Sequence, residues 1–212
     1  MFSSLISLLF PPHCLHCKVP LSPAGVLCST CSVKVSRVPR TSRIDGIEHI
    51  YFAQYNEVSS TLILQAKEEN NTGARHLLAE LIASAIPDPH SLVIPIPSRR
   101  SANRSRGYPH ATLLAQEAIA LAGGNKRQVV DCLYIDARIR DHSGLSMRER
   151  TENIHGKVSV KISRGYRPNS EQTYIVDDLV TSGASVREAL RALRAENIAI
   201  TGVISACAAL AY

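Results

Sequence analysis

Residues Gln172–Ser185 read QTYIVDDLVTSGAS, and the fold turns on how this stretch divides. The apolar run Tyr174, Ile175, Val176 reads as a buried strand and ends on two acids, Asp177 and Asp178. Thr181, Ser182, Gly183, Ala184 and Ser185 follow as an unbroken run of small residues, and a helical pattern begins at once. A strand that delivers two carboxylates and opens into a hydroxyl-rich turn at a helix N-terminus can hold a sugar phosphate. The acids meet ribose hydroxyls, while backbone N–H groups and side-chain hydroxyls meet the phosphate. An ordinary strand-to-helix loop with a capping hydroxyl is the plainer alternative. No G-x-x-x-x-G-K-[ST] occurs and no G-x-G-x-x-G follows a strand, which argues against a nucleoside triphosphatase or a dinucleotide-binding enzyme.

Strand and helix signals alternate on either side of this segment. Ile50–Tyr55 reads as a strand, and Ser59–Ile86 as largely helical with a break around Asn70–Gly73. Ser91–Ile96 is expected to be a strand, Ala111–Ala122 a helix stopped by Gly123 and Gly124, and Val129–Ile135 another strand. Beyond Thr173–Val176, a helix over Ala184–Asn197 and a strand over Ile200–Cys207 complete the pattern. Such alternation predicts an α/β fold, a mostly parallel sheet with helices on both faces. Ligands of such sheets bind at the carboxyl ends of strands, where the acid-and-hydroxyl loop falls.

The chain has 212 residues, enough for one good core and a small appendage. Its net charge of +6 favours an anionic partner such as phosphate or nucleic acid. No apolar run approaches the ~20 residues that span a bilayer. The opening MFSSLISLLF lacks a basic leader and a cleavage site, so it is read as a short docking helix and the protein as cytoplasmic.

Four cysteines form Cys14-x2-Cys17-x10-Cys28-x2-Cys31. Two such knuckles can bring four thiolates to one structural Zn²⁺; a pair of disulfides is the rival reading and fits poorly without a secretion signal. His13 and His16 are read as neighbours of the ligands, and Cys132 and Cys207 as small buried apolar residues. Residues 1–45 therefore form an N-terminal zinc-binding module with a basic linker, and 46–212 the main domain. The linker, Lys34–Arg43, carries Lys34, Arg37, Arg40 and Arg43 and no acid, as a solvated connection or as an anion-contacting arm.

Two more loops can reach the same ligand. Ser98, Arg99 and Arg100 directly follow a strand and suit a pyrophosphate, which needs fixed cations and backbone donors. Arg104 and Arg106 lie further along, and a solvated Arg-rich loop is the alternative. Asp136–Lys157, with Arg138, Arg140, Arg148 and Arg150, has the character of a lid over an anion, or of an exposed helix with i,i+4 pairs.

The segment Asp177–Ser185 resembles the PRPP-binding motif of type I phosphoribosyltransferases, with Ser182 and Ser185 where that family usually has Thr. Other segments are similar in order to the competence protein F (ComF) family: Leu9-Phe10-Pro11-Pro12-His13-Cys14, Pro95-Ile96-Pro97, Arg106-Gly107-Tyr108, and Asp141…Gly144-Leu145…Arg150…Asn153. Pro109 and His142 depart from that pattern, near the region where an acceptor would bind.

The resemblance implies a type I phosphoribosyltransferase-like fold with an N-terminal zinc ribbon. It implies PRPP binding by Asp177, Asp178, Leu179, Val180, Thr181, Ser182, Gly183, Ala184 and Ser185, with Asp177 and Asp178 on the ribose and catalytic. Arg148, Arg150 and Asn153 would belong to a flexible loop. Mg²⁺ would accompany PRPP, and a phosphoribosyl group would pass to an unidentified acceptor with release of pyrophosphate. The family also links the chain to natural competence and DNA uptake. The alternative is a non-catalytic protein that handles single-stranded DNA beside DNA-uptake proteins and keeps PRPP as a regulatory ligand or an idle pocket. Arg187, Arg191 and Arg194, at i, i+4 and i+7, would then form a basic stripe on the last helix.

Overall fold

In a computed structural model that describes residues 12–21, 25–135, 156–162 and 172–209, the apolar runs form one five-stranded sheet. Its strands are β1 (Arg40–Ile44), β2 (Ile47–Gln54), β3 (Leu92–Pro95), β6 (Thr173–Val180) and β7 (Gly202–Ala208), in the order β1-β2-β7-β6-β3. The pairs β2–β7, β7–β6 and β6–β3 are parallel, and only β1 runs antiparallel, on the edge beside β2. A separate two-stranded antiparallel sheet joins β4 (Leu133–Ile135) to β5 (Val158–Val160). The expected α/β architecture with a mostly parallel sheet is present.

The helices are α1 (Ser29–Ser32), α2 (Glu57–Glu68), α3 (Thr72–Ala83), α4 (Arg100–Arg106), α5 (His110–Leu121) and α6 (Ala184–Ala195). One apolar cluster joins α2, α3 and α5 to Phe52, Val93, Val176 and Ile204 on one face of the sheet. The other joins α6 to Ile94, Ile175 and Val203 on the opposite face. Both faces are thus covered, which is why every residue of β7 is buried and its sequence shows no alternation. Each fully buried Val or Ile contributes about 1.5–3 kcal/mol, so these two clusters dominate the favourable side of folding.

Local chemistry sets the helix breaks. The Asn56 side chain accepts the Val58 and Ser59 N–H groups at 2.9 and 3.0 Å, and Ser59 Oγ accepts the Asn56 N–H at 2.8 Å, a reciprocal cap on α2. Asn70 takes a left-handed φ of 52° and Asn71 caps α3 through the Ala74 N–H at 2.9 Å, which splits the expected helix where a break was read. Gly73 is needed for packing: a Cβ there would lie 2.5 Å from Val26 of the cysteine-rich segment.

Three boundaries differ from expectation. Arg40–Arg43, read as the end of an exposed connection, belongs to the edge strand β1, because β2 offers it a free ladder. Val129 makes only a single parallel bridge to Val93, so the strand expected over Val129–Ile135 begins at Leu133 and pairs with β5 instead. β6 runs on through both acids to Val180, because β7 continues its ladder through Asp177↔Ser205, Leu179↔Cys207 and Val180↔Ala208.

A buried polar relay ties the edge together. Ser205 Oγ donates to the Cys207 carbonyl at 2.8 Å, so it accepts from His49 Nε2–H at 2.8 Å. That leaves Nδ1 to accept from Ser42 Oγ at 3.1 Å, across β1, β2 and β7. Burial pushes this imidazole down to about 4, so it is neutral in the fold.

Candidate functional site

The chain leaving β3 enters α4 and then α5, which covers one face of the sheet, while the chain leaving β6 enters α6 on the other face. β3 and β6 are neighbours, so their carboxyl-end loops diverge and leave a crevice between them, the switch point of an open parallel sheet. A cleft of about 550 Å³ opens there. Ser98, Arg99 and Arg106 wall it from the β3 side, Asp177, Asp178, Leu179 and Ser185 from the β6 side, and Lys67 from the end of α2.

Strand alternation sends the two acids to opposite faces. Asp178 is 4% exposed; its Oδ2 lies 3.3 Å from Lys67 Nζ and 3.2 Å from His110 Nε2. Burial alone would raise its carboxyl, but Lys67 and then His110 outweigh it and hold the group well below the usual carboxylate range. Asp177 is half-buried, and its Oδ1 accepts the Asp178 backbone N–H at 2.9 Å. Burial and the neighbouring Asp178 charge hold its carboxyl well above the usual range. The pair therefore combines an inner carboxylate held ionised by two neighbouring cations with a carboxyl beside the cleft whose affinity for a proton is raised, an arrangement suited to holding hydroxyls and exchanging a proton.

The loop behind them is only partly as expected. Leu179 and Val180 lie in β6, where the Ala209 N–H also bonds the Val180 carbonyl at 2.8 Å, so their backbone is used by the sheet. Thr181 and Ser182 are half-buried, and Gly183 and Ala184 are buried. Gly183 takes φ 72°, which turns the chain into α6, and a Cβ there would meet Arg187 Nη1 at 3.2 Å. Ser182 Oγ stands 3.4 Å from the Ala184 N–H, and Ser185 faces the cleft from the first turn of α6. N–H groups of that turn have no partner within a helix, which suits an anion.

The basic residues are redistributed. Ser98 and Arg99 line the cleft, whereas the Arg100 guanidinium lies over the Tyr134 ring at 5.7 Å and borders a smaller pocket of about 110 Å³. Arg106 takes the place at the cleft that Arg100 was expected to hold. Its Nε donates to Glu68 at 2.7 Å. Gly107 ends α4 at φ 80°, and Tyr108 Oη accepts the Asn70 N–H at 2.9 Å while donating to the Lys67 carbonyl at 2.7 Å. Arg-Gly-Tyr is thus a staple between α4 and the end of α2.

Each arginine of the expected stripe on the last helix also holds a contact within the protein, while Arg191 and Arg194 stay exposed. Arg187 donates to the Ser182 carbonyl at 2.6 Å, Arg191 pairs with buried Glu188 at 2.7 Å, and Arg194 donates to the Asp45 carbonyl at 3.3 Å. Arg138, Arg140, Arg148, Arg150 and Asn153 lie outside the described residues.

The Sγ atoms of Cys14, Cys17, Cys28 and Cys31 all lie within 4.8 Å of one another, close enough to hold a metal ion. Four thiolates in that span are the donor set of a closed tetrahedral Zn²⁺ site, so the residues fit the metal. Cys14 and Cys31 are buried and join the cluster of α2 and α3, and His16 Nδ1 lies 3.0 Å from Thr61 Oγ1 of α2. His16 therefore docks the module instead of serving the metal. Cys132 and Cys207 are buried as expected, and burial pushes their thiols up to about 11 and about 12.

No protein-family model and no curated protein matches the chain. Among the described residues, no helix is long and apolar enough to cross a membrane. Lys67 and His110 carry no signal in the sequence, because the carboxylate they share lies 68 or more residues away along the chain.

Proposed function

We propose that the cleft binds PRPP and that the protein is a ComF-type, type I phosphoribosyltransferase-like protein, with a structural zinc in its four-cysteine module. One observation carries the reading: Asp177, Asp178 and Ser185 face Ser98, Arg99 and Arg106 across the crevice between β6 and β3. A cleft of about 550 Å³ is in the size range of ligand sites, and its wall offers a carboxyl for hydroxyls and cations for phosphates.

On this reading the Ser182–Ser185 turn and the first turn of α6 hold the 5′-phosphate. Asp177 holds ribose hydroxyls and is the acid that can take a proton from the incoming nucleophile. Arg99 and Arg106 stabilise the charge that builds on pyrophosphate as the anomeric bond breaks. Asp177 is an oxygen donor of the kind Mg²⁺ takes, and Mg²⁺ bound with PRPP would supply further neutralisation of the pyrophosphate oxygens. A DNA-handling role without transfer would rest on the stripe of Arg187, Arg191 and Arg194, each of which also holds a contact within the fold.

The test is pyrophosphate release from PRPP and Mg²⁺ in the presence of a panel of bases, amines and oligonucleotides. Release that depends on one panel member supports transfer; saturable binding with no release from any of them leaves a PRPP sensor and refutes the enzyme.

A further inference from the structure

Lys67 occupies the last turn of α2, next to Glu68, and its position is set by the Tyr108 hydroxyl on its own carbonyl at 2.7 Å. Its side chain is 31% exposed and lines the cleft, whereas its partner Asp178 is 4% exposed. An ammonium has three donors. Among the described residues Asp178 is the one acceptor for Lys67, at 3.3 Å, so donors remain for the cleft. Asp178 is in the reverse position: its Oδ2 already meets Lys67 and His110, and His110 is 1% exposed.

Arg106 supplies a second, independent sign. Its Nε is fixed on Glu68, its side chain is 13% exposed, and its Nη1 is buried with no partner among the described residues. A buried guanidinium N–H without an acceptor is costly, and a polar cleft that leaves one open is short of an oxygen. Lys67 and Arg106, the latter held by Glu68, both line the cleft and so stand at the same wall. Their mutual repulsion, which opposes the Lys67 charge, is relieved by an anion between them.

We propose that Lys67, together with Arg106, contacts the anionic oxygens of the cleft's ligand, and that Asp178 serves as the counter-ion of Lys67 while Asp177 takes the ligand's hydroxyls. The inference rests on the reading of the cleft as a PRPP site and divides the two acids between protein and ligand. Lys67 is a binding residue of α2, an element that carries no recognisable phosphate motif.

The experiment is calorimetric titration of the full chain with Mg²⁺–pyrophosphate and, separately, with Mg²⁺–PRPP. Lys67→Gln is expected to weaken both by about tenfold or more, and Lys67→Arg to restore most of the loss. Because Lys67→Gln leaves Asp178 facing His110 alone, the double variant Lys67→Gln/Asp178→Asn is measured as well. It removes both charges, and the same tenfold loss is expected from it on a folded protein. Wild-type affinity for pyrophosphate in the folded double variant overturns the proposal and leaves the PRPP reading standing. If the wild-type chain binds pyrophosphate but not PRPP, the PRPP reading falls, and the pyrophosphate ratio alone decides Lys67. If it binds neither, both fall.

Discussion

Replacing the two acids one at a time separates a structural carboxylate from a ligand-facing one. Asp178→Ala leaves a buried imidazole at 1% exposure and an ammonium at 31% exposure without their shared counter-charge. Deleting one partner of a buried pair costs about 3–5 kcal/mol; Lys67 keeps some access to water, so the low end, about 3 kcal/mol, applies. At roughly 2–4 °C per kcal/mol for a protein of this size, Tm falls by about 6–12 °C. Asp177→Asn has the opposite sign. Burial and the Asp178 charge raise the Asp177 carboxyl in the folded state, so the stability it contributes is present at low pH and lost as pH rises through the raised value. At neutral pH the ionised form is a net cost, and an amide of the same shape removes it. Tm of Asp177→Asn therefore holds or rises, while binding in the cleft is lost, the trade expected of a site residue. Differential scanning calorimetry at pH 7 reads both variants. A fall in Asp177→Asn as large as in Asp178→Ala would refute the reasoning, because the acids would then share one role.

Three further outcomes are expected. His49 is depressed to about 4 against the usual 6.5, so its contribution is complete above about pH 6.5 and lost as pH falls toward 4, by about 3 kcal/mol at pH 4. Urea titrations of wild type and His49→Gln across that window check it, and parallel pH profiles would contradict it. Metal analysis should find one zinc per chain, and chelation should lower Tm, since Cys14 and Cys31 are packed in the cluster of α2 and α3; an unchanged Tm after verified metal loss counts against the clip. Gly183→Ala forces a side chain into a φ of 72° and against Arg187, costing about 1–3 kcal/mol and weakening phosphate binding at the turn; full affinity in that variant would show that the turn does not touch the ligand.

Much of this layout was legible in the residues. The apolar stretches at Tyr174–Val176 and over Ile200–Cys207 show no alternation because parallel strands are buried on both faces, and the paired C-x-x-C knuckles need only their spacing to be read. Tertiary pairing was not legible. Nothing local says that β6 continues past Val176, because its last residues are held by β7 from outside the segment. For the same reason the acids read as a pair at a loop, whereas strand alternation divides them. Arg100 and Arg106 could not be ranked, since a seven-residue helix turns one toward Tyr134 and the other toward the cleft. Arg187, Arg191 and Arg194 have helical spacing, but their partners, the Ser182 carbonyl, the β5 backbone and Asp45 of the β1–β2 turn, lie outside the helix and could not be read from spacing.

Titration of the intact chain with Mg²⁺–PRPP by isothermal calorimetry tests the central claim most directly. The expected result is saturable binding at one site per chain, lost in Asp177→Asn although that variant is at least as stable as wild type. Absence of binding to the wild-type protein, or equal affinity in Asp177→Asn, would contradict it.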